Sequence, residues 1–459
     1  NIASSSHNYM TEGFYATRDG GKEPKCPNLS ADVLVATQDV TAEVQSARQP
    51  SMTDAAANDA MKAKMGELEK ACTDKNASAS RDAGVSARCE VVTLYAGGKY
   101  ALYTYRRYTD IRLVFAPEAA MAFFGGDPDN FTYPRYDVDM AIFRAYANDK
   151  PATPEQWLTW SAHGPSDGDV AFVSGNPGST RRLATVSQLQ ELRDVVYSTI
   201  LASLERERDL LNAFAARGPE HEREAREDLF GIENSIKALK GYLGGLRDPA
   251  LMKIKKDDEA ALQKAIDADP KLKAQYGTTL ADVAKVQADM PKLYPQYAAL
   301  HRLGGSSLLE TARTLVRMSS ELELPSTKRL REYRDANLDA VKQELFSPAP
   351  VYGALEVVTI RAWLDEATRA LAARPEVVKK LLGGKTTEQR AREIVTGSLL
   401  FDVYARKALL SGGKSAIEAS SDPAIVLMRS IDEASRDARK KYEDAIEAPM
   451  RQLGQKVAQ

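Results

Sequence analysis

Apolar residues recur with a period of two in the first part of the chain and with a period near 3.6 after about Arg182. Val33 to Ala36, Cys89 to Tyr95, Tyr100 to Tyr108 and Ile111 to Phe115 are short runs rich in Val, Ile, Leu and Tyr, which predict strands. Gly97-Gly98 falls where a hairpin turn belongs. One helix interrupts them: Ala55 to Ala71 is rich in Ala, Met, Lys and Glu, with Gly66 its one weak position. Two later strands are predicted, Val138 to Tyr146 and Asp169 to Ser174, the second running into the turn Asn176-Pro177-Gly178.

Beyond Arg182, Leu189, Leu192, Val195-Val196, Ile200, Leu204 and Leu211 share one face of a long helix from Ser187 to Arg217. A second helix is predicted from Pro219 to Leu246. Pro249, Pro270, Pro291, Pro325, Pro348, Pro375 and Pro423 then stand where helices could start or stop. No repeat of 30 to 50 residues stands out, so an irregular bundle is expected rather than a solenoid. The fold class is α+β, with a β part at residues 1–182 and a helical part at 183–459.

The 459 residues suffice for two to four folding units, and 43% hydrophobic with 27% charged residues is globular composition. Sixty-two basic against 64 acidic residues give a net charge of -2, which argues against a nucleic-acid or anionic-lipid partner for the bulk of the chain. Arg436, Arg439, Lys440 and Lys441 resemble a basic arm, but Glu433, Asp437, Glu443 and Asp444 interleave with them and predict a solvated helix face. No apolar run approaches the roughly 20 residues that span a bilayer. The chain opens on Asn1-Ile2-Ala3 and closes inside a charged helical pattern, so it is expected to be a piece of a longer protein.

Of Cys26, Cys72 and Cys89, none forms a CxxC pair, and four scattered histidines make a structural zinc site improbable. Cys72 and Cys89 bracket the polar stretch 73–88, where a bridge would contribute on the order of 3 kcal/mol in the chain-entropy model. The bridge is the expectation; two reduced, partly buried thiols are the alternative, and Cys26 is left over.

Candidate chemistry concentrates from Gly125 to Arg144, where a loop rich in Gly, Pro, Asp and Asn leads into an apolar strand. Asp139 stands near the start of that strand in the order Asp, apolar, small, apolar, apolar, basic. A carboxylate that orients a catalytic histidine needs such a setting, fixed by backbone and screened from water by the residues that follow. Other segments join this one: Asn8 to Ala16, Lys25-Cys26-Pro27, Val40 to Val44, Cys89 to Val92, Arg112 to Glu118, Ser174 to Thr180 and Glu233 to Lys237. Together and in this order they resemble the bacterial dipeptidyl-peptidase 7 and 11 family of serine peptidases.

The resemblance implies a chymotrypsin-like double β-barrel interrupted by a large helical domain that covers the cleft, with residues 1–182 as part of the first barrel and 183–459 as the cap. It implies that Asp139 is the aspartate of a catalytic triad. The family's histidine segment is expected before Asn1 and its serine segment after Gln459, so the chain by itself is expected to be inactive. His7 matches the stretch after that histidine and is expected at the surface. Asn130 in the loop and Asn234 on the helical part are implied as ligands of the substrate's free amine; Phe131 stands where many relatives carry Trp, which leaves backbone contacts possible and puts indole stacking in doubt. Independently, Phe230, Asn234, Lys237 and Gly241 form a stripe offset from the apolar Leu229, Ile232, Ile236, Leu239 and Leu243, as if something other than ordinary core approached it.

Asn176-Pro177-Gly178 is read as a strand-terminating turn rather than an oxyanion loop, and Trp157, Trp160 and His163 are expected to pack at the barrel surface. The function implied is release of dipeptides from free N-termini of peptides by way of a serine ester. The resemblance further implies a homodimer in a periplasmic or surface location, with no metal or organic cofactor. The rival is a non-catalytic module that binds peptide or protein partners on a helical scaffold.

Overall fold

The structure, a computed structural model, describes residues 8–27, 29–77, 82–122, 136–172 and 181–458. Its strands are β1 (Phe14–Tyr15), β2 (Ala31–Asp39), β3 (Val85–Leu94), β4 (Lys99–Tyr108), β5 (Asp110–Ala116), β6 (Ile142–Ala147) and β7 (Lys150–Pro151). They form two antiparallel sheets, in the orders β2-β4-β3 and β1-β5-β6-β7. Consecutive β4 and β5 belong to different sheets, so Thr109 is the hinge of the chain between them. The β3–β4 hairpin turns at Gly97, whose φ of 102° only glycine adopts readily.

β6 begins at Ile142 rather than at the expected Val138. The Val138 amide donates to Met121 O and that of Met140 to Val138 O, so residues 138–140 are held as a bend and the ladder starts where Ile142 meets Phe115. No strand forms over 169–172, the described part of the expected Asp169–Ser174; Val170 and Phe172 are exposed, with no sheet edge beside them among the described residues. Burial on a sheet face is what holds such a run extended.

Helix α1 (Asp54–Ala77) lays Met61 and Met65 on Cys89, Val91, Tyr100 and Leu102 of the three-stranded sheet. Cys72 on its last turns is bonded to Cys89 on β3, which settles the two cysteine readings in favour of the bridge. α2 consists of Val186–Glu191 and Tyr197–Ala215 joined by a π-helical turn, Leu192–Val196, and covers the expected long helix. Thr185 and Gln188 close a capping box at its start. α3 (Pro219–Arg247) packs against it, and α4 (Pro249–Ala268) follows. Pro249, Pro270, Pro375 and Pro423 each occupy the first position of a helix, where the missing N–H costs nothing.

The main core lies among α5 (Ser307–Glu321), α6 (Asp335–Leu345), α7 (Gly353–Ala370) and α8 (Pro423–Tyr442), where Leu309, Leu315, Ile360, Leu364 and Ile425 are fully buried. The face of α8 expected to be solvated is only half so. Lys440 and Lys441 pair with Asp444 and Asp437 at the surface, but Arg436 reaches Glu321 at 2.6 Å and Arg439 reaches Glu332 at 2.6 Å, tying α8 to its neighbours. α9 (Ala448–Ala458) returns to the β3–β4 turn, where a Cβ at Gly97 would stand 3.3 Å from Gln455.

One joint fastens the three-stranded sheet to the helices. Glu69 of α1 accepts from the Val91 amide at 3.0 Å and faces the Arg334 guanidinium at 3.4 Å, both side chains 7% exposed. Gly66 admits that guanidinium, since a Cβ there would stand 3.2 Å from it. Arg331 adds a contact to Glu90 at 2.7 Å. These contacts cross the expected boundary near residue 182. No helix among the described residues is long and apolar enough to cross a membrane.

Candidate active site

Asp139 lies in the bend between Met121 and β6, at one end of the four-stranded sheet. Its side chain is exposed and, among the described residues, makes no hydrogen bond or ion pair. Among the described residues the screening expected from the residues after it is not seen: Met140, Ile142 and Phe143 are themselves 43%, 43% and 44% exposed.

The opposite end of the same strands is fixed by charge. Arg112 on β5 holds Asp110 through two hydrogen bonds of 3.0 and 2.9 Å, contacts Asp149, and lies 3.7 Å over the Tyr146 ring. Lys25 reaches Asp110 at 3.0 Å, and Glu23 receives Arg144 at 2.8 Å and the Tyr146 hydroxyl at 2.9 Å. The hydrogen bonds from Arg112 pull the Asp110 carboxyl down to about 2. This lattice sets the β5–β6 register, and with it the position from which the Asp139 segment leaves.

Asn234 is half-buried on α3. Ile232, Ile236, Leu239 and Leu243 are buried as the apolar set predicts, while a Cβ at Gly241 would meet nothing within 4 Å among the described residues, so no close approach is seen there. The structure places Asp139 and Asn234 on separate elements with no hydrogen bond between them. Asn130, Phe131, His7 and the turn Asn176-Pro177-Gly178 lie outside the described residues. Trp157 and Trp160 are 73% and 83% exposed and His163 is exposed, in place of the packing expected of them, because no described element lies over that segment.

A group of carboxylates beside α3 was not foreseen. Glu356 on α7 is buried, accepts from Ser306 Oγ at 2.5 Å and from the Leu308 amide at 3.3 Å, and burial pushes its carboxyl up to about 7. Glu207 on α2 is pushed to about 7 by burial and by Asp228 of α3. The signal for Glu356 was its place on the buried face of α7 with Leu355, Thr359, Ile360 and Trp363. An acidic residue there must find donors or remain protonated.

Two antiparallel sheets, one built into an array of helices and one carrying the candidate carboxylate, define an α+β protein. Residues 1–459 match the Peptidase S46 family model, and the chain belongs to that family. It is 26% identical over 442 residues to the Asp/Glu-specific dipeptidyl-peptidase of Shewanella putrefaciens, covering 92% of this chain and 58% of that protein. To dipeptidyl-peptidase 7 of Porphyromonas endodontalis it is 27% identical over 470 residues, covering 95% of this chain and 53% of the relative. The crystal structure of Porphyromonas endodontalis DPP11 in complex with the dipeptide Arg-Glu superposes with a TM-score of 0.71 at 21% identity, covering 100% of this chain and 66% of that one, which shows a shared fold. The chain thus spans little more than half the length of these curated relatives.

Proposed function

We propose that the complete protein is a serine-type dipeptidyl-peptidase that releases dipeptides from the free N-termini of peptides. The observation that carries this is the Peptidase S46 match over residues 1–459, joined to relatives named dipeptidyl-peptidases that align over more than nine-tenths of the chain. On this reading β1-β5-β6-β7 belongs to a chymotrypsin-like first barrel, and the helices from residue 183 form a cap over its cleft. Asp139 holds the tautomer of a histidine and stabilises the imidazolium formed when that histidine takes the proton of a serine hydroxyl. The histidine and the serine belong to the complete protein. The serine attacks the second peptide carbonyl, the amine leaves with the proton from the imidazolium, and water releases the dipeptide from the ester.

Counting two residues requires a fixed seat for the substrate's α-ammonium. Asn130 and Asn234 supply neutral acceptors for it, with Phe131 as a further substrate-binding residue through its backbone. A periplasmic or surface location suits the Cys72–Cys89 bridge, since such bonds persist in oxidising compartments. The working unit is a homodimer.

The test is hydrolysis by the complete protein of dipeptidyl substrates with free and with acetylated amines. Cleavage of the free-amine substrate alone is expected, and Asn130→Ala is expected to lower kcat/KM on it by about 10- to 100-fold, the loss of one charge-assisted hydrogen bond. Equal cleavage of both substrates, or unchanged kinetics in Asn130→Ala, would remove the amine-counting role.

A further inference from the structure

The turn Arg302-Leu303-Gly304-Gly305-Ser306 joins the helix Met290–His301 to α5. Gly304 and Gly305 have φ of 60° and 73°, and a Cβ at Gly304 would stand 2.9 Å from that of Trp363 on α7, so glycine is what fits. Ser306 caps α5 by accepting from the Leu309 amide at 3.1 Å, and its hydroxyl donates to Glu356 of α7, which also accepts from the Leu308 amide. Glu356 is 6% exposed and Ser306 0%, closed over by the chain's own residues, so further protein can deepen that burial but not lift it. α2 reaches the turn from another side: a Cβ at Gly305 would meet Glu207 Oε1 at 3.8 Å. α2, α3 and α7 pack on one another. The charge that acts on both carboxyls is a third acid, Asp228 of α3. Cations on the packed elements are paired with other acids: Arg206 with Glu366, Arg208 with Asp209, Lys240 with Glu205, Arg223 with Glu220, Arg361 with Glu388 and Arg313 with Glu310.

We propose that this turn is a proton-operated joint: Glu207 and Glu356 seat α2, α3 and α7 around Gly304-Gly305 while they hold protons, and their ionisation beside Asp228 loosens the seat. Burial first, and then the Asp228 charge, pushes both carboxyls from the ordinary 4.5 up to about 7. The Ser306 hydroxyl and the Leu308 amide favour the ionised Glu356 but do not outweigh its burial. The closed packing therefore keeps protons that the loosened state releases between 4.5 and about 7. Its contribution is complete below the ordinary value and is lost as pH rises through the raised one. His301, at the other end of the turn, has the opposite sign: burial and Arg313 hold it neutral down to about 4, so its contribution is lost on acidification instead. That term is common to wild type and carboxyl variants and cancels in their difference. α3 also carries Asn234, so on the proposed function the joint sets the pH above which the amine seat slackens.

Hydrogen–deuterium exchange of the complete protein, followed from about pH 5 to about pH 8 and corrected for the intrinsic exchange rate, reads the joint without substrate. In the wild type, the amides around Glu207, Asp228 and Ser306 are expected to lose protection about tenfold or more across that range, while those of α8 keep theirs. Glu207→Gln and Glu356→Gln are each expected to reduce the loss and the double substitution to abolish it, since glutamine keeps an acceptor for Ser306 and Leu308 but forms no charge. Asp228→Asn is expected to shrink the loss and move it to lower pH. Should Glu356→Gln fail to fold, Glu207→Gln decides, and a loss it leaves undiminished overturns the joint. Wild-type protection that does not change with pH overturns it too, as does a loss that persists in the double variant. The readout involves no cleavage, so its failure is distinct from a failure of the proposed function.

Discussion

The sheet β2-β4-β3 has a helix across one face, a disulfide from that helix to β3 and a buried carboxylate–guanidinium joint to the helical array. The sheet β1-β5-β6-β7, which the Asp139 bend enters, is held instead by a charged lattice at one end and leaves Met140, Ile142 and Phe143 open at the other. The first is a mount completed by contacts within the chain. The second has its register fixed but leaves the residues that enter β6 exposed among the described residues. On the proposed function, damage to the mount should appear as unfolding, and damage to the open sheet as lost activity with little change in stability.

The strongest test of that separation is Arg334→Ala. It leaves Glu69 buried against Val91 without its paired guanidinium, at an expected cost of about 3–5 kcal/mol in denaturant unfolding. A loss below about 1 kcal/mol would break the contrast. Next comes the double substitution Cys72→Ser, Cys89→Ser, expected to cost about 3 kcal/mol and to lower Tm without altering the four-stranded sheet. In the open sheet Asp110→Asn should cost only about 1 kcal/mol at neutral pH, since Arg112 and Asp110 keep contact with solvent. Its sign with pH is fixed: Asp110 sits below the ordinary 3.8, near 2, so its contribution is complete above 3.8 and disappears as pH falls through about 2. Unfolding curves of wild type and Asp110→Asn should therefore converge at the acid end; a gap that persists there would show that the side chain acts by shape rather than charge.

What the sequence disclosed was local in origin. β3, β4 and β5 followed from runs of β-branched and aromatic residues, and helix starts from prolines at first positions, because each depends on neighbours in the chain. Glu69 and Arg334 are 265 residues apart, so no periodicity could pair them. Arg436 and Arg439 illustrate the same limit: the acids interleaved with them predicted a solvated face, while Glu321 and Glu332 drew them inward. The start of β6 was misjudged because the Val138 amide prefers a carbonyl at Met121, a tertiary contact, over continuation of the ladder. Of the candidate site, Asp139 was legible only as an acid before an apolar strand, and Asn234 only through a family resemblance and a helical stripe.

The most direct measurement is the steady-state kinetics of Asp139→Asn in the complete protein on a free-amine dipeptidyl substrate. An asparagine keeps the shape of the side chain but cannot hold the histidine tautomer, so kcat should fall by about 10³- to 10⁴-fold while KM and Tm stay near wild type. A kcat within a few-fold of wild type would show that this carboxylate steadies no catalytic imidazole.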